Sequence, residues 1–169
     1  MSEVQQGGAG RTVPRIKTYS VNYQMVIGRP APVVFERMIN YHEWNPEHIG
    51  AKVERLAGEK NQLGEVILEY KKGPNGYEAP VLIETVKLVP DKQIVWALYM
   101  PPDDDPAVMS FVDFNLRDEG GEVVFEYRLY GSIKDPNGTY TMERGAFEQT
   151  ILSRLNEVLP ALKAHVESR

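Results

Sequence analysis

Glu84 is the first side chain in this sequence with the setting of an acid–base catalyst. It belongs to a predicted strand in which alternate residues are apolar. Its neighbours on the same face are Leu82, Val86 and Leu88. A carboxylate on such a face is costly to ionise, which raises its pKa toward the range of a general acid or base. The alternative is a register shifted by one residue, which would turn Glu84 toward water.

Tyrosines supply further polar groups on predicted inner faces. A tyrosine ring can pack in a core while its hydroxyl hydrogen-bonds a ligand. Tyr70 and Tyr127 are predicted to carry protons or to orient a carbonyl. The other tyrosines predicted to contact a ligand are Tyr19, Tyr23 and Tyr99, but the stretch Ile94 to Met100 is apolar on both faces, so Trp96 and Tyr99 cannot both be placed from it. The alternative for each of them is ordinary core packing, with the hydroxyl satisfied by the backbone or by water.

A short polar segment contains His42, Glu43, Glu47 and His48. Its residue types suit a metal, but their spacing is not that of the HExxH motif, and Pro46 interrupts the helix that would align them. We therefore predict no metal site. His42 is a fourth catalytic candidate, because a histidine near a cavity mouth can act as an acid or base at neutral pH. The alternative is an exposed surface histidine.

Composition excludes several classes of function. Lys and Arg number 19 against 24 Asp and Glu, giving a net charge of −5, so a nucleic acid or an anionic membrane is not an expected partner. The chain has no cysteine, which excludes disulfides and thiolate chemistry. It also lacks the Gly-rich phosphate motifs, so we expect no cofactor. No signal-peptide or membrane-span pattern is present, and a cytoplasmic location is expected.

Alternating hydrophobicity predicts seven strands separated by turn signals. The strands are 16–27, 51–57, 64–71, 79–89, 92–100, 108–116 and 122–133. Short connections predict antiparallel pairing. In the last two strands, Asp113 and Arg128 belong to a polar set predicted to face water. A short helix is expected from Pro32 to about Tyr41, followed near Pro46 by a kink or a second short helix.

The sequence ends in an amphipathic stretch, 139–169, with the periodicity of a long helix. Phe147 and Ile151 are assigned to a cavity wall, and Leu162 to the core. Pro160 lies on the polar face, where its missing hydrogen bond would bend the helix around a sheet. This helix and the sheet predict one domain spanning 14–169, preceded by a polar, Gly-rich leader at 1–13 that is expected to be disordered.

The order strand, two short helices, six antiparallel strands and long terminal helix resembles the START-like or Bet v 1-like (SRPBCC) superfamily, specifically its polyketide cyclase/dehydrase and lipid-transport branch. Local motifs similar to those of the family are Ala31-Pro32 with Val34-Phe35, Trp44-Asn45-Pro46, Gly64-Glu65-Val66 and Leu159-Pro160-Ala161-Leu162-Lys163. The resemblance covers roughly residues 16 to 167. These motifs mark the fold and are not catalytic.

The resemblance implies an α+β helix-grip fold: a curved antiparallel sheet of about seven strands wraps the C-terminal helix and leaves an internal cavity. Trp44, Trp96 and Phe114 are the further ligand contacts expected in it. Aromatase-type cyclases tend to place an arginine among the cavity aromatics. Here Arg117 and Arg128 fall on outward positions and only Arg37 and Arg55 remain as candidates, which counts against cyclase activity.

Three functions remain open at this level. The first is a cavity enzyme of the cyclase, dehydratase or isomerase type, acting on a hydrophobic or aromatic small molecule by acid–base chemistry without a cofactor. The second is a carrier of a lipid-like or polyphenolic ligand. The third is a partner-binding member of the superfamily that exposes an apolar patch. Either a monomer or a homodimer is consistent with the sequence.

Overall fold

The computed structural model of the protein describes residues 15–100, 107–135 and 143–168. The predicted leader at 1–13 and the first residues of the predicted terminal helix, 139–142, lie outside the described residues.

Strands and helices follow one another in the predicted order. The strands are β1 (Arg15–Ile27), β2 (Lys52–Ala57), β3 (Val66–Tyr70), β4 (Lys72–Gly73), β5 (Gly76–Tyr77), β6 (Val81–Val89), β7 (Gln93–Tyr99), β8 (Ala107–Asp118) and β9 (Val123–Asp135). The α-helices are α1 (Ala31–Ile39), α2 (Arg144–Val158) and α3 (Pro160–Glu167). A 3-10 turn at Tyr41–Glu43 replaces the second short helix, and it precedes Pro46.

Seven strands form one antiparallel sheet in the order β1-β9-β8-β7-β6-β3-β2. The predicted curved sheet and its α+β helix-grip architecture are thereby confirmed. β4 and β5 form a separate two-stranded hairpin. Because β1 and β2 are the two edges of the large sheet, α1 and the 3-10 turn connect one edge to the other.

The terminal helices bury their apolar stripe against one face of this sheet, which we call the inner face. Ile151, Leu155, Val158 and Leu162 are buried in the same core cluster as Phe125 of β9. Each such side chain stabilises the fold by roughly 1.5–3 kcal/mol through removal of apolar surface from water. The apolar stripe predicted for the terminal helix therefore packs against the inner face of the sheet.

Pro160 divides the terminal helix in two. Leu159, between α2 and α3, keeps helical backbone angles, φ −67° and ψ −28°. The amide of Leu162 donates to the carbonyl of Leu159 at 3.0 Å, a tighter 3-10 type bond. The break lies at Pro160, whose nitrogen has no hydrogen to donate, and the bend expected there stays a prediction.

A β-bulge in β6 decides which of its residues face inward. Thr85 pairs with Trp96 and Lys87 pairs with Val95, so Val86 is the extra residue. A bulge of this kind reverses the alternation of side chains along a strand. Ile83 and Thr85 consequently lie on the inner face before it, and Leu88 packs against the core after it.

In the described ranges 15–100, 107–135 and 143–168, no helix combines the length and hydrophobicity that crossing a membrane requires.

Candidate functional site

A cavity of ≈ 460 Å³, which we call the main chamber, lies between the inner face of the sheet and α2. Its wall is largely apolar, with side chains that include Phe114, Leu129, Phe147, Ile151 and Leu155. A side pocket of ≈ 70 Å³ shares His48 and Tyr127 with it and adds Trp96. The larger volume falls in the range of about 300–1,000 Å³ typical of small-molecule sites.

Glu69 is the buried carboxylate of this region, with only 1% of its surface exposed. His48 Nδ1 lies 2.7 Å from Oε1, and His42 Nε2 lies 2.7 Å from Oε2. The Tyr41 hydroxyl also donates to Oε2, at 2.9 Å. Three hydrogen bonds therefore offset the cost of burying this carboxylate.

The segment between α1 and β2 brings the three donors together. Tyr41 and His42 belong to the 3-10 turn, and their rings lie 4.0 Å apart. Asn45 then caps the following turn, since its carbonyl accepts the His48 amide at 2.9 Å. The His48 ring meets the Tyr41 ring edge-on at 4.9 Å. Both imidazoles consequently point at the same strand, β3.

Opposing effects act on the pKa of Glu69. Burial raises it, but hydrogen bonds and positive charge from His42 and His48 lower it further, so the pKa ends well below its ordinary value. Burial raises the pKa of Tyr41, and the neighbouring Glu69 charge raises it again. Glu69 is therefore an anion at neutral pH, and Tyr41 is a neutral hydrogen-bond donor.

His48 has the orientation of a general base. An ionised carboxylate only accepts hydrogen bonds, so the His48 nitrogen facing Glu69, Nδ1, carries the hydrogen. In the neutral ring the other nitrogen, Nε2, then holds the lone pair. His48 lines both the main chamber and the side pocket. A base held in one tautomer by a carboxylate is the arrangement used to activate nucleophiles or remove protons.

Tyr127 lies in the same two cavities. Burial raises the pKa of its hydroxyl far above the ordinary value, although the charge of Arg154 opposes this. Its hydroxyl makes no hydrogen bond to any residue that the structure describes. Tyr127 thus offers a neutral phenol to a ligand.

An ion pair from α2 and one from Lys71, the residue after β3, meet at Glu47, which also lines the main chamber. Arg154 Nε lies 3.3 Å from Glu47 Oε1, and Lys71 Nζ lies 3.9 Å from Oε2. Arg154 was not predicted, although it follows Phe147 by seven residues and Ile151 by three, which places it on the same helix face. This helical spacing is the feature of the sequence that could have placed Arg154 in the chamber wall.

Several predicted ligand contacts do lie in the cavity wall. They are Tyr19, Phe114, Tyr127, Phe147 and Ile151 in the main chamber, and Trp96 in the side pocket. The Tyr19 hydroxyl forms a hydrogen bond with Ser110, and its ring meets Phe147 edge-on at 4.9 Å.

Three predicted site residues lie on the opposite, outer face. Glu84 pairs with Ala97 on that face, because the bulge at Val86 shifts the alternation on which the inward assignment rested. Tyr70 lies beneath the Lys52 ammonium, 5.2 Å from its ring centre. Tyr99 follows Leu98, which lines the chamber, and so turns away from it. The predicted inward orientation of Glu84, Tyr70 and Tyr99 was wrong.

Two other predicted contacts belong to the core. Trp44 is buried, and its indole donates to the Met38 carbonyl at 3.3 Å. Tyr23 is half-buried and packs against the core cluster.

His42 reaches Glu69 from a different cavity of ≈ 380 Å³, which we call the second chamber.

Glu69 and His48 are the functional candidates that sequence reasoning missed. The alternation of β3 predicts an inner set of Val66, Leu68 and Tyr70, but Ile67 and Glu69 face inward. The available signal was the pair of histidines in the preceding segment, of which His42 is an acid–base candidate from the sequence and His48 is weighed there only as a metal ligand. In the part of the chain that the structure describes, no group of three or more histidine or acidic side chains is placed to hold a metal ion.

With this geometry in hand, comparison with solved structures identifies the fold as START-like or Bet v 1-like. A START superfamily protein from Mycobacterium smegmatis matches with a TM-score of 0.65 and 15% identity over 89% of this chain and 98% of its own. The Zhui aromatase/cyclase from Streptomyces sp. R1128 matches with a TM-score of 0.65 and 15% identity over 90% of this chain and 96% of its own.

The di-domain ARO/CYC BexL from the BE-7585A biosynthetic pathway has a TM-score of 0.67 and 18% identity, over 90% of this chain and 51% of BexL. No protein-family model and no curated protein matches the sequence. At these identities the likeness establishes the fold, and the resemblance inferred from the sequence is confirmed at that level.

Proposed function

We propose that this protein binds a hydrophobic or aromatic small molecule in the main chamber and acts on it by cofactor-independent acid–base chemistry of the cyclase, dehydratase or isomerase type. His48 is the proposed general base, Glu69 orients it, and Tyr127 donates a hydrogen bond to a substrate oxygen. The observation that carries this proposal is the 2.7 Å hydrogen bond between His48 Nδ1 and the buried Glu69 carboxylate.

The first step under this proposal is removal of a proton from carbon. His48 Nε2 takes a proton beside a carbonyl, and Glu69 stabilises the imidazolium that forms. The Tyr127 hydroxyl donates to the carbonyl oxygen as it gains negative charge. The same imidazolium then returns the proton to another atom, which completes an isomerisation, or to a departing hydroxyl, which completes a dehydration.

Two further observations support a substrate of this class. The main chamber is lined by aromatic and aliphatic side chains, so a flat hydrophobic molecule can replace water there. Two of the structural neighbours, Zhui and BexL, are aromatase/cyclases by name. Their fold is shared at low identity, so the chemistry is argued from the chamber and not from the neighbours.

The test uses 5-nitrobenzisoxazole, a small aromatic molecule that reports a base in an apolar cavity. Removal of its C3 proton breaks the ring N–O bond and releases a coloured cyanonitrophenolate. We expect the wild-type protein to accelerate this elimination and His48→Gln to lose at least about a hundredfold of the rate. His165→Gln is the matched control, since His165 lies in α3 and lines neither the chamber nor the side pocket. A His48→Gln rate within twofold of wild type would refute the assignment of the base.

A carrier of hydrophobic ligands is the second candidate, and the predominantly apolar wall of the main chamber favours it. In that case Tyr127 and Arg154 anchor the polar end of a ligand that is not transformed. Saturable binding of 5-nitrobenzisoxazole, measured by calorimetry, with no elimination above the buffer rate would support the carrier over the enzyme.

A further inference from the structure

We propose that the second chamber is a separate binding site for a small aromatic carboxylate. It lies on the other side of the Glu69 cluster from the main chamber, and Tyr41, Ile83 and Trp96 form the partition toward the side pocket. This site goes beyond the proposed function, which does not use it.

The second chamber has the size and the apolar surface of a small-molecule site. Its ≈ 380 Å³ lie between the 3-10 turn and strands β2, β3 and β6. Ile39, Ile67 and Ile83 provide aliphatic surface, and Trp96 and Tyr41 provide aromatic rings whose centres are 5.2 Å apart. Such walls favour a planar ring over a flexible chain.

Thr85 gives this chamber a buried polar group. The residue is 2% exposed and lines the chamber. Its backbone is fully used, since its amide donates to the Glu65 carbonyl and its carbonyl accepts from the Gly64 amide, both at 2.9 Å. Its hydroxyl has no hydrogen-bond partner among the residues that the structure describes. Because this hydroxyl is open to the chamber, a ligand oxygen can accept a hydrogen bond from it.

The charged groups of the chamber leave an excess of hydrogen-bond donors. Both oxygens of Glu65 already accept hydrogen bonds. Oε1 accepts from Arg55 Nε at 3.1 Å, and Oε2 accepts from the backbone amide of Asn61 at 2.7 Å. The terminal nitrogens of Arg55 remain, and Lys60 has no ion-pair partner in the described parts of the chain. Glu43 is the other acid in the lining, and it is mostly exposed at the rim.

These donors select the ligand class. Thr85, Arg55 and Lys60 all line this chamber, and a carboxylate can accept from such donors. Hydrogen bonds to a charged acceptor are about twice as strong as neutral ones. A neutral aromatic molecule of the same shape would keep the ring contacts but would lack the charge-assisted hydrogen bonds to these donors. The chamber therefore favours the aromatic acid over its amide.

The probe is 4-(trifluoromethyl)benzoate, with 4-(trifluoromethyl)benzamide as its neutral match, and binding is followed by fluorine NMR. We expect the benzoate to bind about tenfold more tightly than the amide. Thr85→Val, which preserves the side-chain shape, and Lys60→Gln should each weaken benzoate binding by about five- to tenfold. Lys87→Gln, at an exposed position of the same strand as Thr85, is the charge-matched control and should bind as wild type does.

Arg154→Gln distinguishes the two chambers, because Arg154 lines the main chamber only. Unchanged benzoate affinity in this variant supports the second chamber. A loss in Arg154→Gln together with wild-type affinity in Thr85→Val and Lys60→Gln would place the carboxylate in the main chamber and overturn the proposal. Equal affinity for benzoate and benzamide would overturn it as well. Melting temperatures of the variants would show that each remains folded.

Discussion

The two most deeply buried carboxylates among the described residues lie one on each face of the sheet, and they are held in different ways. Asp113 of β8, 2% exposed, lies on the outer face. Its Oδ1 accepts from Gln93 Nε2 at 2.8 Å, and its Oδ2 pairs with Arg128. Glu69 on the inner face is held instead by two imidazoles and a phenol.

The difference lies in what the partners can still do. The guanidinium of Arg128 is always charged, and the Gln93 amide does not titrate, so Asp113 sits in a fixed arrangement. Each imidazole beside Glu69 has a second nitrogen that can bind or release a proton, and the rings line two different chambers. Burial alone therefore does not separate a structural carboxylate from a functional one, and the identity of its partners does.

The largest expected effect of a single substitution is that of Glu69→Leu. It leaves three buried or half-buried donors without an acceptor, and we expect a loss of about 3–5 kcal/mol in unfolding free energy, measured by urea denaturation. Turnover of 5-nitrobenzisoxazole should also fall to the level of His48→Gln. A loss below about 1 kcal/mol would mean that the donors find water, and the contrast with Asp113 would disappear.

Acid should remove much of this contribution. Because the pKa of Glu69 is lower in the folded protein than its ordinary value of 4.5, the carboxylate stabilises the fold fully above pH 4.5 and progressively less as the pH falls toward the folded value. The stability difference between wild type and Glu69→Leu should therefore shrink by roughly 2 kcal/mol between about pH 5 and about pH 3. A constant difference across that range would contradict the lowered pKa.

Asp113→Asn should cost about 1–2 kcal/mol, less than the change at Glu69, because half-exposed Arg128 can turn to water when the charge is lost. The rate with 5-nitrobenzisoxazole should not change. Thermal unfolding and the elimination assay together check this pair of outcomes. A rate loss comparable to that of Glu69→Leu would show that the outer-face carboxylate also influences the chamber.

The smallest effect on stability is expected for Tyr127→Phe. Its hydroxyl has no partner among the described residues, so the unfolding free energy should change by less than about 0.5 kcal/mol. The elimination rate should nevertheless fall by about tenfold, because the oxygen that becomes negative loses a donor. Loss of stability without loss of rate would reverse the assignment of Tyr127 to the ligand.

The fold was predictable because its signals are local and repeated. Alternation in the strands and the 3.6-residue period of the terminal helix each survive small errors of boundary, and the seven-stranded antiparallel sheet follows from them. Face assignment depends on single residues and failed where they matter. The bulge at Val86 is invisible in the hydrophobic pattern, and the apolar Val66 and Leu68 hid the inward Glu69.

Asp113, on the outer face of the sheet, shows the same limit of sequence-based prediction. Its outer-face position was predicted, but the expectation that it faces water was wrong, since Gln93 and Arg128 cover it. Partners distant in sequence decide whether a polar side chain is buried, and alternation carries no information about them. This is also why the sequence leaves an exposed surface position open for His42, whose partner Glu69 is 27 residues away.

The bulge at Val86 also has an evolutionary consequence. Loss of that one codon would leave Thr85 opposite Trp96 and Lys87 opposite Val95, so β6 would become a regular strand with each remaining side chain on its present face. Thr85 would keep its place in the wall of the second chamber, and Glu84 would stay outside it. The lineage can therefore gain or lose this one residue without changing which side chains a ligand meets.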